Sequence, residues 1–166
     1  MAICHFYFKY DDRECQSGEQ IASDLLKQLV YQSGILPIGL EKLYVDSKTG
    51  LAPKLSVITD LLISSCSAFY STFVFLDGLD ECTDEQQSEV IVLVKRLSSS
   101  GIRVLLTSQP QLIPLVSTFG TFVSIEIVAK KEDLEAYVRQ RVESARNNTA
   151  LGETLVNELI AGAEGM

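Results

Sequence analysis

The sequence of 166 residues lacks the residues that most metal sites and many catalytic sites need. It contains no tryptophan, a single histidine (His5) and four cysteines, Cys4, Cys15, Cys66 and Cys82. None of the cysteines forms a Cys-x-x-Cys pair, so the usual zinc modules are excluded. With 46% hydrophobic residues the chain needs no disulfide framework. We therefore interpret the cysteines as reduced thiols and His5 as a packed core residue.

Signals for secretion and for membrane insertion are also missing. Asp11, Asp12 and Arg13 interrupt the start of the chain, and the apolar stretch 57–76 contains Asp60 and several serines. The net charge of −8 repels phosphate backbones. We therefore expect a cytoplasmic protein that binds neither nucleic acid nor membranes.

Hydrophobic patterning predicts strands that alternate with helices. Short apolar or aromatic runs are typical of strands in a buried parallel sheet, and capping signals at Ser17 and Thr83 mark helix starts. This order predicts an α/β fold with a mainly parallel sheet and helices on both faces. The predicted strands are residues 3–10, 72–76, 102–106 and 122–128; the predicted helices follow Ser17 and Thr83, begin near Pro53, and span 40–44, 110–116, 131–146 and 149–161.

The acidic string that follows the second predicted strand is the most informative motif. Residues 73–82 read FVFLDGLDEC, so an apolar strand ends at Asp77, and Asp80 and Glu81 follow within one turn. Ligand sites of open α/β sheets lie at the carboxyl ends of their strands. There, one carboxylate can hold Mg²⁺ and a second can orient or deprotonate an attacking water. The alternative is a purely structural role, in which the acidic residues favour the first turn of the helix that Thr83 caps.

A second polar loop follows the third predicted strand. Residues 103–110 read RVLLTSQP, which places Thr107, Ser108 and Gln109 at the same edge of the sheet. Their hydroxyl and amide groups can hydrogen-bond a γ-phosphate or its attacking water. Alone, this pattern also suits a plain turn in which Pro110 opens the next helix.

Taken in order, these strings resemble the NACHT-type signalling NTPases of the STAND class. The closest likeness is to the fungal nephrocystin-like amino-terminal domain, which often precedes ankyrin or other repeats. FVFLDGLDEC is similar to its Walker B motif, and RVLLTSQP is similar to its sensor strand. CHFYFKYDD near the start and AEGM at the end are similar to flanking segments of that domain.

This resemblance implies a role for each residue of the two loops. Asp77 would bind Mg²⁺, and Asp80 or Glu81 would position or activate water. Thr107, Ser108 and Gln109 would contact the γ-phosphate of ATP (or GTP). The family usually has arginine where this chain has Gln109, and an uncharged amide cannot form a bidentate phosphate contact.

The family's phosphate-binding loop has no counterpart in the chain. No Gly-x-x-x-x-Gly-Lys-Ser/Thr string occurs in it, and the family pattern places that motif before residue 1. The loop supplies backbone N–H groups, a helix N-terminus and a lysine to the phosphates. Losing three or four charged hydrogen bonds, at roughly 1.5–3 kcal/mol each, weakens binding by about a thousandfold or more. We expect poor ATP binding and essentially no turnover by the chain alone.

We therefore expect residues 1–129 to form an NTPase-like core without Walker A. We expect residues 130–166 to form a helical segment that leads toward a further helical region.

The main hypothesis for the function is a fragment of a nucleotide-dependent signalling switch. One alternative is an interaction module with no nucleotide role, for which other copies or signalling proteins are the partners. Another is an unrelated magnesium-dependent enzyme that uses Asp77, Asp80 and Glu81.

Overall fold

The computed structural model describes residues 1–11, 16–48, 50, 52–112, 122–128, 130–145 and 150–163. These residues form three strands, six α-helices and two short 3₁₀ turns. The strands are β1 (Ala2–Tyr7), β2 (Thr72–Asp77) and β3 (Arg103–Leu106); the helices are α1 (Gly18–Ser33), α2 (Leu40–Lys48), α3 (Leu55–Cys66), α4 (Asp84–Ser99), α5 (Lys131–Ala145) and α6 (Ala150–Ala163); the 3₁₀ turns are Leu79–Glu81 and Pro110–Leu112.

The three strands form one parallel sheet in the order β1-β2-β3. Cys4 pairs with Val74, and Val74 pairs with Val104, so each row of the sheet presents one residue of each strand to the same side. Parallel neighbours need crossover connections, which α1 to α3 supply between β1 and β2 and α4 supplies between β2 and β3. The predicted α/β class with a parallel sheet is confirmed.

One face of this sheet is covered by helices. Helices α1, α3 and α4 contact one another, α1 lies against β1, and α4 lies against β3. Their apolar stripes meet the inward-facing strand residues in a single core. The largest fully buried side chains there belong to Ile21, Leu25, Leu29, Ile58, Leu62, Val74, Leu76, Leu79, Val90, Leu93 and Leu97.

The other face of the sheet, here called the open face, stays exposed to solvent among the described residues. Leu105 is 53% exposed and Phe75 is 36% exposed, although both are central apolar positions. Helices α1 to α4 therefore do not form the second layer that the sequence predicts on this face. The open face consists of Ile3, His5, Tyr7, Phe73, Phe75, Asp77, Arg103 and Leu105.

Local signals in the sequence fix the helix ends as expected. The Ser17 side chain accepts a hydrogen bond from the Gln20 N–H, and Thr83 and Gln86 form a reciprocal capping box. Gly34 ends α1 in the left-handed conformation, with φ of 67°. Helix α3 begins at Leu55, two residues later than the proline that was expected in its first turn.

Two local expectations from the sequence are wrong. Residues 122–128 contain no strand, and the described sheet ends at β3. A strand needs a neighbour for its backbone N–H and C=O groups, so strand-forming side chains alone do not produce one. His5 is not a packed core residue: it lies exposed on the open face, with its ring centroid 5.3 Å from that of Tyr7.

The chain divides into two compact units, Met1–Phe122 and Val123–Met166. The first contains the sheet with α1 to α4, and the second contains the packed pair α5 and α6. The boundary predicted after residue 129 lies within the second unit. The segment 113–116 of one predicted helix and the terminal residues 164–166 lie outside the described residues. Within the described ranges, no helix combines the length and the apolar character needed to cross a bilayer.

A carboxylate from α4 holds the start of α1. Glu89 Oε2 accepts a hydrogen bond from the Gly18 N–H at 2.7 Å, at the positive end of the helix dipole. A Cβ on Gly18 would come within 2.9 Å of Leu55 Cδ2 and 3.1 Å of Glu89 Cβ, so a larger residue would make the close packing of α1, α3 and α4 shift at this position.

We predict that Glu89→Ala lowers the free energy of unfolding by about 1–3 kcal/mol, because it leaves a half-buried helix N-terminus without its charged acceptor. Urea unfolding followed by circular dichroism measures the change. Glu85→Ala, an exposed residue of the same helix, is the matched control and should cost less than about 1 kcal/mol. Equal losses in the two variants would contradict this account of the α1 start.

Candidate functional site at the carboxyl ends of β2 and β3

Strand β2 delivers Asp77 to the edge of the sheet, and a tight turn follows at once. Gly78 has φ of 84°, a left-handed conformation that a residue with a Cβ rarely adopts. The chain then forms the 3₁₀ turn Leu79–Glu81, in which Leu79 is fully buried. Buried Leu79 anchors the turn to the core, so Asp80 and Glu81 are held beside Asp77 rather than carried into solvent.

Thr107 joins the end of β3 to this acidic turn. Its hydroxyl donates to Asp77 Oδ1 at 2.5 Å and accepts from the Gly78 N–H at 2.9 Å. Its carbonyl oxygen accepts from the Leu79 N–H at 3.0 Å, and its own N–H donates to the Leu76 carbonyl at 3.0 Å. Four hydrogen bonds from one residue therefore fix the two loops against each other.

Asp80 makes a second connection between the loops. Its Oδ1 accepts from the backbone N–H of Gln109 at 3.1 Å, and the Ser108 hydroxyl donates to the Gln109 carbonyl at 3.3 Å. The structure thus brings together Asp77 with Thr107 and Asp80 with Gln109, as the shared strand edge predicts. Glu81 lies in the same turn, where its N–H donates to the Gly78 carbonyl at 2.9 Å.

The site is open and negatively charged. Asp77, Thr107, Ser108 and Gln109 are exposed, whereas Asp80 and Glu81 are half-buried. Residues 77–85 include five carboxylates, and no lysine or arginine occurs between 77 and 94. A ligand that completes this site must therefore bring positive charge, in the form of a cation or of basic and N–H groups.

The donor set fits Mg²⁺ better than a fully enclosed metal. Among the described residues there is no cluster of three or more histidine, cysteine or acidic side chains able to hold a metal. Mg²⁺ keeps several of its waters and takes one or two carboxylates, which is the number that Asp77 and Asp80 could offer. Zn²⁺ and Ca²⁺ demand more protein ligands than these two residues offer.

The Cys4 and Cys66 thiols lie outside the two loops of this site. Burial raises the pKa of the Cys4 thiol to about 12, and burial also raises the pKa of Cys66. Both thiols therefore stay protonated at neutral pH, and a protonated thiol is neither a nucleophile nor a metal ligand. Cys4 and Cys66 are free cysteines, and Cys15 lies outside the described residues.

Two positions at the site were not singled out from sequence. The Phe8 N–H donates to the Asp77 carbonyl at 2.9 Å, which ties the end of β1 to the same corner. Gly78 supplies the left-handed turn, and the Asp-Gly pair after an apolar run was the available signal for it. Nothing in the sequence marks Phe8, because its contribution is a backbone group.

We predict that Thr107→Val loosens the site while leaving the fold intact. Valine keeps the shape of threonine but removes the hydroxyl that contacts Asp77 and Gly78, at a cost of about 1 kcal/mol in unfolding free energy. Amide hydrogen exchange at Gly78 should accelerate in this variant. Thr107→Ser keeps the hydroxyl and should retain slow exchange. An unchanged Gly78 exchange rate in Thr107→Val would show that the hydroxyl does not hold the turn.

Comparison with known proteins gives one match. The family model described as nephrocystin 3, N-terminal, matches residues 1–109, a span that contains all three strands and both loops of the site. No curated protein and no solved structure matches the chain. The matched span is well over half of the 166 residues, and the chain therefore belongs to the nephrocystin 3 N-terminal family.

Proposed function

We propose that this chain carries the acidic and sensor half of a nucleotide-dependent signalling switch of the NACHT or STAND type. In this proposal Asp77, Asp80 and Glu81 form the Walker B side of the site, and Thr107, Ser108 and Gln109 form the sensor side. The donors that cradle the phosphates would have to come from a different segment, since the 166 residues contain no Gly-x-x-x-x-Gly-Lys-Ser/Thr string.

The observation that carries this proposal is the pair of contacts between the two loops. The Thr107 hydroxyl donates to Asp77, and the Gln109 N–H donates to Asp80. A change of ligand at the acidic turn would therefore alter the hydrogen bonds that connect it to the loop after β3. A sensor of bound nucleotide requires such a connection.

Each residue has a defined task in the proposed site. Mg²⁺, when bound, would neutralise charge on the β- and γ-phosphates of ATP or GTP. Asp77 would hold it, usually through water. Asp80 or Glu81 would orient the attacking water, and their partial burial restricts the positions that their oxygens can take. Ser108 and Gln109 are exposed and would approach the γ-phosphate as hydrogen-bond donors.

The same residues favour a slow switch over an efficient enzyme. Gln109 offers no positive charge to the transition state, where a nearby arginine stabilises the developing charge of phosphoryl transfer. Hydrolysis would then reset an assembled state slowly, and the conformational state would depend on which nucleotide is bound.

A phosphate-binding segment supplied from outside these 166 residues would need a strand edge and an apolar face to pack against. β3 has a strand neighbour on only one side among the described residues, and the open face beside it is apolar around Phe75 and Leu105. Parallel sheets normally carry helices on both faces. A strand beside β3, followed by a helix over the open face, would bring a positive helix N-terminus to the Asp77 end, where the negative charge lies.

The apolar open face also favours a second candidate, an interaction module with no nucleotide role. Exposed apolar surface of this kind marks contact sites between proteins. The two candidates differ in what they require of Asp77, since only the switch needs a divalent cation there.

We predict that Mn²⁺, a paramagnetic substitute for Mg²⁺, broadens the amide NMR signals of residues 78–82 and 107–109 before all others. Asp77→Asn should abolish this selective broadening, because it removes the principal anionic ligand. Asp24→Asn is the matched control: it makes the same charge change on α1, at a surface pair with Lys27, and should leave the broadening intact.

Broadening that is spread over the surface, or that survives Asp77→Asn, would contradict the proposed cation site and favour the interaction module. Since the five carboxylates of 77–85 could also gather cations without any fixed geometry, the loss of selectivity in Asp77→Asn is the decisive comparison.

A further inference from the structure

The outer edge of β1 is occupied by side chains of α1. The Ile3 N–H donates to Gln32 Oε1 at 3.2 Å, and Gln32 Nε2 donates back to the Ile3 carbonyl at 2.8 Å. The His5 N–H donates to Gln28 Oε1 at 2.9 Å, and Gln28 Nε2 donates back to the His5 carbonyl at 2.8 Å. Each glutamine amide therefore satisfies both backbone groups of one strand residue, as a residue of a neighbouring strand would.

The spacing of the two glutamines explains why the pairing fits. Four residues of an α-helix rise about 6.0 Å, and two residues of a strand rise about 6.6 Å. Gln28 and Gln32 are four residues apart, and His5 and Ile3 are two residues apart. Because α1 follows β1 and returns along it, the later glutamine meets the earlier strand residue. A helix can thus present two amides in register with a strand edge.

A third glutamine extends the arrangement past the end of β1. Gln16 Oε1 accepts from the Lys9 N–H at 2.9 Å, and Gln16 Nε2 donates to the Lys9 carbonyl. Gln16 is only 2% exposed, so this amide is part of the packed structure. Ile3, His5 and Lys9 are all odd-numbered. In an extended chain, the backbone N–H and C=O groups of every second residue point to the same side, so these three residues present theirs to the same edge.

The opposite edge of the sheet is formed by β3. β3 is the last strand of the described sheet and has β2 as its one strand neighbour there. Exposed strand edges invite pairing with another chain, and proteins that avoid this cover the edge or block it. The described residues cover the β1 edge with glutamine side chains and place no strand beside β3.

We propose that Gln28 and Gln32 act as a side-chain lock that closes the β1 edge against strand addition by a second copy of this chain. The lock confines association through the sheet to the β3 edge. The rotamer entropy lost by two long side chains is of the same order as the net gain of four solvent-accessible hydrogen bonds. Its main effect is therefore on association and not on stability. This inference does not depend on the nucleotide role.

The test compares the double variant Gln28→Ala, Gln32→Ala with the wild-type chain and with Gln20→Ala. Gln20 lies on the same helix, where its amide contacts Asp24 and not the β1 edge. Amide exchange of Ile3 and His5 is measured by NMR at low concentration, and the average molar mass is measured by sedimentation across a concentration series.

In the wild-type chain and in Gln20→Ala, the Ile3 and His5 amides should exchange slowly. In the double variant their exchange should accelerate by about fivefold or more, in line with the loss of one net hydrogen bond each. Its average mass should rise with concentration further than that of the other two proteins. Fast exchange of both amides in the wild-type chain, or unchanged exchange and mass in the double variant, would overturn the proposal.

A second double variant keeps the test valid if the alanine variant fails to fold. Gln28→Met with Gln32→Met retains the length of the side chains and their helix propensity but has no amide. Far-UV circular dichroism verifies that α1 persists. The same increases in exchange and mass are expected, and their absence in this variant would also overturn the proposal.

Discussion

The structure around the candidate site depends on one constraint: neighbouring parallel strands end at the same edge of a sheet. Asp77 ends β2, and Thr107 follows β3 directly, so their side chains meet without any special device. The hydroxyl of Thr107 then holds both Asp77 and the N–H of Gly78. Without this contact the acidic turn and the loop after β3 would be two independent surface turns.

The charge and the exposure of this site suit only part of a nucleotide-binding site. Its charges are of one sign, and its polar groups are mostly exposed, so it can attract a cation but cannot by itself enclose a phosphate chain. The open face lies directly beside it and is apolar around Phe75 and Leu105. A segment that adds a strand beside β3 and a helix across this face would cover apolar surface and supply positive charge together. The negative charge of the site and the apolar open face therefore both favour a segment of this kind.

Much of this architecture was predictable because it rests on local signals. Ser17 and Thr83 cap their helices, and the apolar run before Asp77 forms the central strand. Features that depend on neighbours were not predictable in this way. Residues 122–128 have strand-forming side chains but no partner strand in the described chain. His5 has an aromatic setting but lies on the face that no described helix covers.

The glutamine lock is the clearest case of a feature that sequence patterning overlooks. Gln28 and Gln32 look like ordinary polar positions of an amphipathic helix, and their spacing gains meaning only once β1 lies alongside. Interactions between side chain and backbone across elements have no periodic signature. From the sequence, Thr107 and Asp77 were predicted only to lie at the same edge of the sheet. The hydrogen bond between them is visible only in the structure.

The most direct test of the account is calorimetric titration of the 166-residue chain with Mg²⁺-ATP. If the proposed function is right, a chain with the proposed acidic and sensor residues but no phosphate-cradling loop should bind with a dissociation constant of about a millimolar or weaker, because the lost phosphate contacts cost roughly a thousandfold or more. Micromolar binding that Asp77→Asn abolishes would contradict the account, since it would mean that these residues form a complete nucleotide site without any added segment.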